Sequence, residues 1–279
     1  MQQKKKTPKF VFSKFGIIGV VPPAETVFEL KNSLALTSLA TTVEIRLDKC
    51  RFGISGPPRL TDEMARIIVS FCSGTTIRPV ILTFRAKEHG GTYDTPVKDQ
   101  LGLWLHLPEV LRNLINYQSM PIYIDWGLDL IEHVIEINQP QIFPWSKIVV
   151  SHHFMKNTPP ESELRQKLRE MEATPATSGI KLVTLAKDEG DVIVLERLYK
   201  GRTDERPLIA FAMGELGQSS RIECLTTWGN AGTYAYLRGC EKNAQGMLSV
   251  EEMLAIPRVR KALGLGIPQP LARSSREED

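Results

Sequence analysis

Eight short runs rich in β-branched residues recur along the chain at intervals of roughly 25–40 residues, and that repetition constrains the fold more than any other feature. They are GIIGVV (Gly16–Val21), TTVEIRL (Thr41–Leu47), PVILTF (Pro79–Phe84) and PIYID (Pro121–Asp125), then KIVVSH (Lys147–His152), GIKLVTL (Gly179–Leu185), PLIAFAM (Pro207–Met213) and GTYAYL (Gly232–Leu237). Helical patterns lie between them. TDEMARIIVSFC opens on a threonine that can cap a helix, followed by an acidic first turn. QLGLWLHLPEVLRNLINY carries apolar residues at helical spacing. PESELRQKLREMEA starts with proline and acidic residues and pairs charges at i,i+4. DVIVLERLY and VEEMLAIPRVRKALG continue the alternation, the last with a kink or break at Pro257. Strands alternating with helices over about 250 residues predict an α/β fold, a single parallel (β/α)8 barrel of the TIM type. The competing reading, an open doubly wound sheet, lacks a dinucleotide fingerprint: GELGQ (Gly214–Gln218) does not supply one.

The predicted catalytic barrel spans residues 15–270 of the 279, flanked by a basic tail (1–14, with Lys4, Lys5 and Lys6) and a C-terminal tail (271–279) that reads as disordered. With a net charge of +3 and no basic patch interleaved with aromatics, the chain is not expected to bind nucleic acid. Lys14 interrupts the apolar run FVFSKFGIIGVV, which reads as a first strand rather than a leader, and no stretch is long enough to span a bilayer. Cys50, Cys72, Cys224 and Cys240 form no C-x-x-C pair, so they read as reduced structural thiols of a cytoplasmic protein.

In such a barrel the chemistry gathers at the C-terminal ends of the strands. Polar residues are concentrated there: Glu44, Arg46 and Asp48 on the second run, and Arg85, Lys87, Glu88 and His89 after the third. Asp125 ends the fourth, Ser151, His152 and His153 end the fifth, and Arg221 follows the seventh. Lys181 lies inside the apolar sixth run. A buried ammonium is costly unless it is paired or its pKa falls, and a neutral lysine can attack a carbonyl to form a Schiff base. The bland alternative is an edge-strand lysine that reaches solvent. A histidine ending the neighbouring strand could serve as the base that removes a proton beside the resulting imine. Three arginines at strand ends suggest a small anionic substrate, because guanidinium pairs bidentately with carboxylate.

VEIRLD (Val43–Asp48), LTFRAKEHGG (Leu82–Gly91), VSHHFMKNTP (Val150–Pro159), IKLVTLAKDEGDVIVL (Ile180–Leu195) and MGELGQSSRI (Met213–Ile222) occur together in a fixed order. In that order and register the sequence resembles the type I 3-dehydroquinate dehydratases over nearly its whole length. The resemblance implies a cytoplasmic, homodimeric lyase of the shikimate pathway that needs neither cofactor nor metal. Such an enzyme dehydrates 3-dehydroquinate to 3-dehydroshikimate through a lysine Schiff base. It implies Lys181 as the imine lysine and His153, not His152, as the general acid/base. It further implies Glu44, Arg46 and Arg85 as residues holding substrate hydroxyls, and Arg221 as the carboxylate anchor. The family's glutamate before the Gly pair, which supports the catalytic histidine, falls on His89, with Glu88 one position earlier; both are candidates for that support. Asn243, Gln245 and Met247 of NAQGMLS stand where the family has Ser, Pro and Gln, and Gly127 where it has an acidic residue. Those departures keep a second reading open, a divergent paralogue that binds a related hydroxy-carboxylate without turnover or with altered specificity.

Overall fold

Among the residues described in the computed structural model (15–50, 60–73, 78–116, 121–138, 142–228 and 231–265), each of the eight predicted runs contains one strand. These are β1 (Gly16–Val20), β2 (Thr42–Arg46), β3 (Val80–Thr83), β4 (Ile122–Gly127), β5 (Ile148–His153), β6 (Gly179–Leu185), β7 (Leu208–Met213) and β8 (Gly232–Tyr236). All ladders are parallel, in the order β7-β6-β5-β4-β3-β2-β1-β8. β1 pairs with both β2 and β8, and β7 packs against β8, so the sheet curls back on itself. No ladder among the described residues joins β7 to β8, which leaves a seam in an otherwise closed barrel. This rules out the open doubly wound sheet.

The helices are α1 (Val27–Ala35), α2 (Asp62–Cys72), α3 (Val97–Leu105), α4 (Glu109–Asn116), α5 (Leu128–Glu136), α6 (Glu161–Glu172), α7 (Gly190–Tyr199), α8 (Gln218–Thr226), α9 (Val250–Ala255) and α10 (Pro257–Ala262). Thr61 caps α2 through the Met64 amide, as its sequence predicts. Pro257 begins a new helix after α9. The pattern QLGLWLHLPEVLRNLINY is not one helix: it divides into α3 and α4, because Pro108 has no N–H to donate and disfavours helical backbone in the residue before it. α1, α5 and α8 lie outside the helical patterns singled out in the sequence. For α1 the signal was present, a capping box in which Thr26 and Glu29 bond each other's backbone amides.

Alternation along the strands sorts the buried side chains into two shells. Ile18, Val20, Ile81, Tyr123, Val149, Val183, Ile209, Phe211 and Tyr234 fill the barrel. Their neighbours in sequence, such as Leu82, Ile124, Val150, Leu182 and Ala210, pack outward against Leu30, Ile68, Leu111, Ile131, Leu164 and Leu195 of the helices. The apolar floor of the inner shell forces polar inward residues to cluster at the strands' C-terminal ends. The two predicted tails, 1–14 and 271–279, lie outside the described residues. No helix of the described residues is long and apolar enough to cross a membrane.

Candidate active site

The pleat decides which polar residues meet. On β5, Val149, Ser151 and His153 point inward, so His152 points outward, where its ring stands edge-on to Phe154 at 4.6 Å. On β6 the same alternation turns Lys181 and Val183 inward, with Ser151 paired beside Lys181 and His153 beside Val183. Glu44 and Arg46 face in from β2, and Asp125 from β4. A cavity of about 290 Å³ opens above them. Glu44, Arg46, Arg85, His89, His153, Lys181 and Arg221 all line it; Glu88 does not, and its side chain is 62% exposed.

Lys181 is not a snorkelling edge lysine. Its side chain is buried on an inner strand, with Nζ 2.9 Å from Asp125 Oδ2, 3.4 Å from Glu44 Oε1 and 4.1 Å from the Tyr234 ring centroid. Asp125 is the hub. Its Oδ2 also accepts from Arg85 Nη2 at 2.9 Å, while Oδ1 accepts from the Ser151 hydroxyl. Glu44 is steadied by the Thr83 hydroxyl at 2.8 Å. Burial opposes ionisation of Asp125, but Lys181, Arg85 and Ser151 together outweigh it and hold the carboxyl well below the ordinary range. The opposite sum applies to Lys181: burial and Arg85 outweigh the two carboxylates, so its amine deprotonates more readily than a free lysine.

His153 makes its contact with Arg85 rather than directly with Lys181. Arg85 Nη1 lies 2.7 Å from Nδ1 and 2.6 Å from Nε2, and it donates to whichever nitrogen carries no proton. Burial, then Arg85, Lys181, His89 and Arg46, depress the ring's pKa well below that of free histidine. His153 therefore rests neutral, ready to accept a proton. Arg46 is fixed by a bidentate pair with Asp48 at 2.8 and 2.7 Å. Sequence reasoning gave Asp125, Thr83, Ser151 and Tyr234 no role. Asp125 and Ser151 carried a signal, as polar residues at strand ends; Thr83 and Tyr234 carried none.

Arg221, on α8, is 1% exposed and stacks on the Phe211 ring at 4.3 Å. Its Nε and Nη1 have no protein partner, and burial brings its pKa down to about 10. Such a guanidinium awaits an anion in the cavity it lines. The loop after β8 covers that cavity. Gly246 (φ +68) packs so closely on the Gly214 carbonyl that a Cβ would overlap it, and Lys49 Nζ donates to Asn243 Oδ1 at 3.2 Å. Met247, 3% exposed, presents a thioether to the cavity. Elsewhere, Glu88, His89 and Asp129 bring one donor atom each within 4.8 Å of one another. Burial pushes the Cys50 and Cys72 thiols up to about 12, the reverse of a reactive thiolate.

The sequence profile described as type I 3-dehydroquinase matches residues 20–263. A 3-dehydroquinate dehydratase from Methanosarcina mazei is 30% identical over 225 residues, covering 80% of this chain and 86% of that protein. One from Methanopyrus kandleri is 34% identical over 181 residues, covering 64% and 72%. The crystal structure of the 3-dehydroquinate dehydratase from Geobacillus kaustophilus superposes with a TM-score of 0.64 at 21% identity, covering 90% of each chain. With the match running from the end of β1 to the end of α10 on a shared barrel, this chain belongs to the type I 3-dehydroquinase family.

Proposed function

We propose that the protein dehydrates 3-dehydroquinate to 3-dehydroshikimate through an imine on Lys181. The observation that carries this reading is the placement, in one cavity, of buried Lys181, ion-paired to Asp125 and Glu44, with inward-facing His153 held by Arg85. Lys181 attacks the ketone and water leaves, giving a protonated imine that acidifies the adjacent C–H bond. His153 takes that proton, and the electron pair moves onto the imine nitrogen. The resulting enamine expels the β-hydroxyl, which takes the proton back from His153 and departs as water. Hydrolysis of the imine frees the enone and the lysine. Asp125 and Glu44 steady the lysine in its charged forms, and Arg85 fixes the ring of His153. Arg46 and Glu44 face the ring hydroxyls, and Arg221 takes the carboxylate.

The altered-specificity reading draws on Met247, which cannot donate the hydrogen bond a glutamine would. It remains second, because a binder needs neither Lys181 nor His153. Enone absorbance on adding 3-dehydroquinate decides between them. Turnover that disappears in both K181M and H153A supports the dehydratase. A wild-type protein that binds the substrate without forming enone refutes it, and a K181M variant that still turns over refutes the imine. The same reading takes the homodimeric, cytoplasmic setting that the family resemblance implies; light scattering on the purified chain tests the dimer.

A further inference from the structure

Gly127 caps α5 with φ −58 and ψ 147, backbone that any residue adopts, so conformation does not require glycine there. A Cβ on Gly127 would nonetheless meet Asp129 Oδ1, so the carboxylate would have to turn away. The Asp129 carboxylate thus occupies the volume a side chain at 127 would take. From there Asp129 Oδ2 lies 3.8 Å from His89 Nε2. His89 in turn lines the cavity, with its ring centroid 6.2 Å from that of His153. Its remaining nitrogen, Nδ1, is buried without a protein partner.

Several charged or titratable groups face His89. They are Asp129 from α5, Glu88 from its own turn at 3.9 Å, Arg85 from the end of β3, and His152 and His153 from β5. Lys167 and Glu170 of α6 act on His152 behind it. Burial alone would keep the His89 ring neutral. Asp129, helped by Glu88, outweighs both burial and Arg85 and favours the imidazolium. The first turn of α5 also stabilises the Asp129 anion.

We propose that Gly127, Asp129 and His89 form one positioning unit for His153, in which the glycine leaves room for the carboxylate and the carboxylate holds His89 beside the catalytic ring. The three positions form a single device. Asp129 takes the space beside Gly127 and faces the ring of His89. Asp129 favours the protonated form of His89, and a protonated His89 next to His153 disfavours a second proton there, which keeps the ring free as a base further into acid. Asp129 and Gly127 are positioning residues: neither lines the cavity. The proposal rests on His153 being the base of the proposed reaction.

Histidine ring signals followed by NMR against pH in the full chain test the unit, with His89 assigned by its loss in H89Q. In D129N the His89 midpoint falls, because the carboxylate that favours the imidazolium is gone. G127A leaves Asp129 in the sequence but displaces its carboxylate, so the same fall is expected. In all three variants the acid limb of kcat/KM moves to higher pH, and in D129N and G127A, whose residues do not line the cavity, KM at neutral pH changes little. Unchanged His89 titration in both D129N and G127A overturns the pairing. A lowered His89 midpoint with an unmoved acid limb overturns its action on His153. If the protein proved not to be a dehydratase, the NMR titrations of His89 and His153 would still report the unit, so the two failures are distinguishable.

Discussion

Replacing Arg221 by methionine should make the free protein more stable and the ligand-bound protein far weaker. In the folded chain burial lowers this guanidinium from 12.5 to about 10. At about 1.4 kcal/mol per pH unit, that is roughly 3 kcal/mol of unfavourable desolvation at neutral pH, because the unfolded chain keeps the arginine hydrated. Stacking on Phe211 at 4.3 Å returns some of it, about 1–2 kcal/mol. An unbranched methionine fits the same channel and needs no partner for Nε or Nη1. The net expectation is a gain of about 1–2 kcal/mol in the absence of substrate. Binding moves the other way. Two charge-assisted hydrogen bonds to a carboxylate are worth about 1.5–3 kcal/mol each, so their loss weakens binding by roughly 10²- to 10⁴-fold. Urea unfolding of the free variant and calorimetric titration with a non-reacting substrate analogue measure the two effects. A variant that is less stable than wild type and binds the analogue equally well would refute the reading of Arg221 as an anion anchor.

Three further outcomes follow from the geometry. His152 sits in the folded chain with its pKa lowered to about 4 by burial, then by His89 and Lys167. Between pH 6.5 and about 4 the unfolded chain binds the extra proton, so this group's contribution to stability is lost as pH falls through that window. H152Q should therefore show a shallower loss of urea stability over the same range, and an unchanged slope would contradict the burial of a neutral ring. G246A adds a Cβ at φ +68 against the Gly214 carbonyl, so it should lower the melting temperature and raise KM by displacing the covering loop; a variant indistinguishable from wild type in both would show the loop does not close there. M247Q offers a hydrogen-bond donor to the cavity and should lower KM about two- to tenfold, from one bond worth about 0.5–1.5 kcal/mol, with kcat near wild type; a raised KM would favour an altered substrate.

The barrel was legible because its signal is repetitive. Eight inward-outward alternating runs each need only a few β-branched residues, and an error of one or two positions at an end leaves the count intact. Helices were harder. α8 (QSSRIECLT) has little amphipathic contrast because its buried face includes Ser220, bonded to the Ala212 amide and the Gly217 carbonyl, and Arg221, which lines the cavity. In QLGLWLHLPEVLRNLINY the apolar spacing continued across Pro108 and masked the break. At the site, sequence resemblance placed Lys181, His153, Glu44, Arg46, Arg85 and Arg221, and all six line the cavity. The couplings among them were not legible. That Asp125 bonds both Lys181 and Arg85, and that Arg85 rather than Lys181 touches His153, depends on the stagger of neighbouring strands in the closed sheet. The Asp129–His89 contact likewise brings together α5 and the turn after β3, which no local pattern encodes.

The measurement closest to the central claim is borohydride reduction in the presence of 3-dehydroquinate, followed by peptide mass spectrometry. Reduction of the imine freezes the bond between substrate carbon and lysine nitrogen as a stable secondary amine. The account predicts one adduct, on the peptide containing Lys181, formed by wild type and absent from K181M. No adduct under turnover conditions, or an adduct on another lysine with Lys181 unmodified, would contradict it.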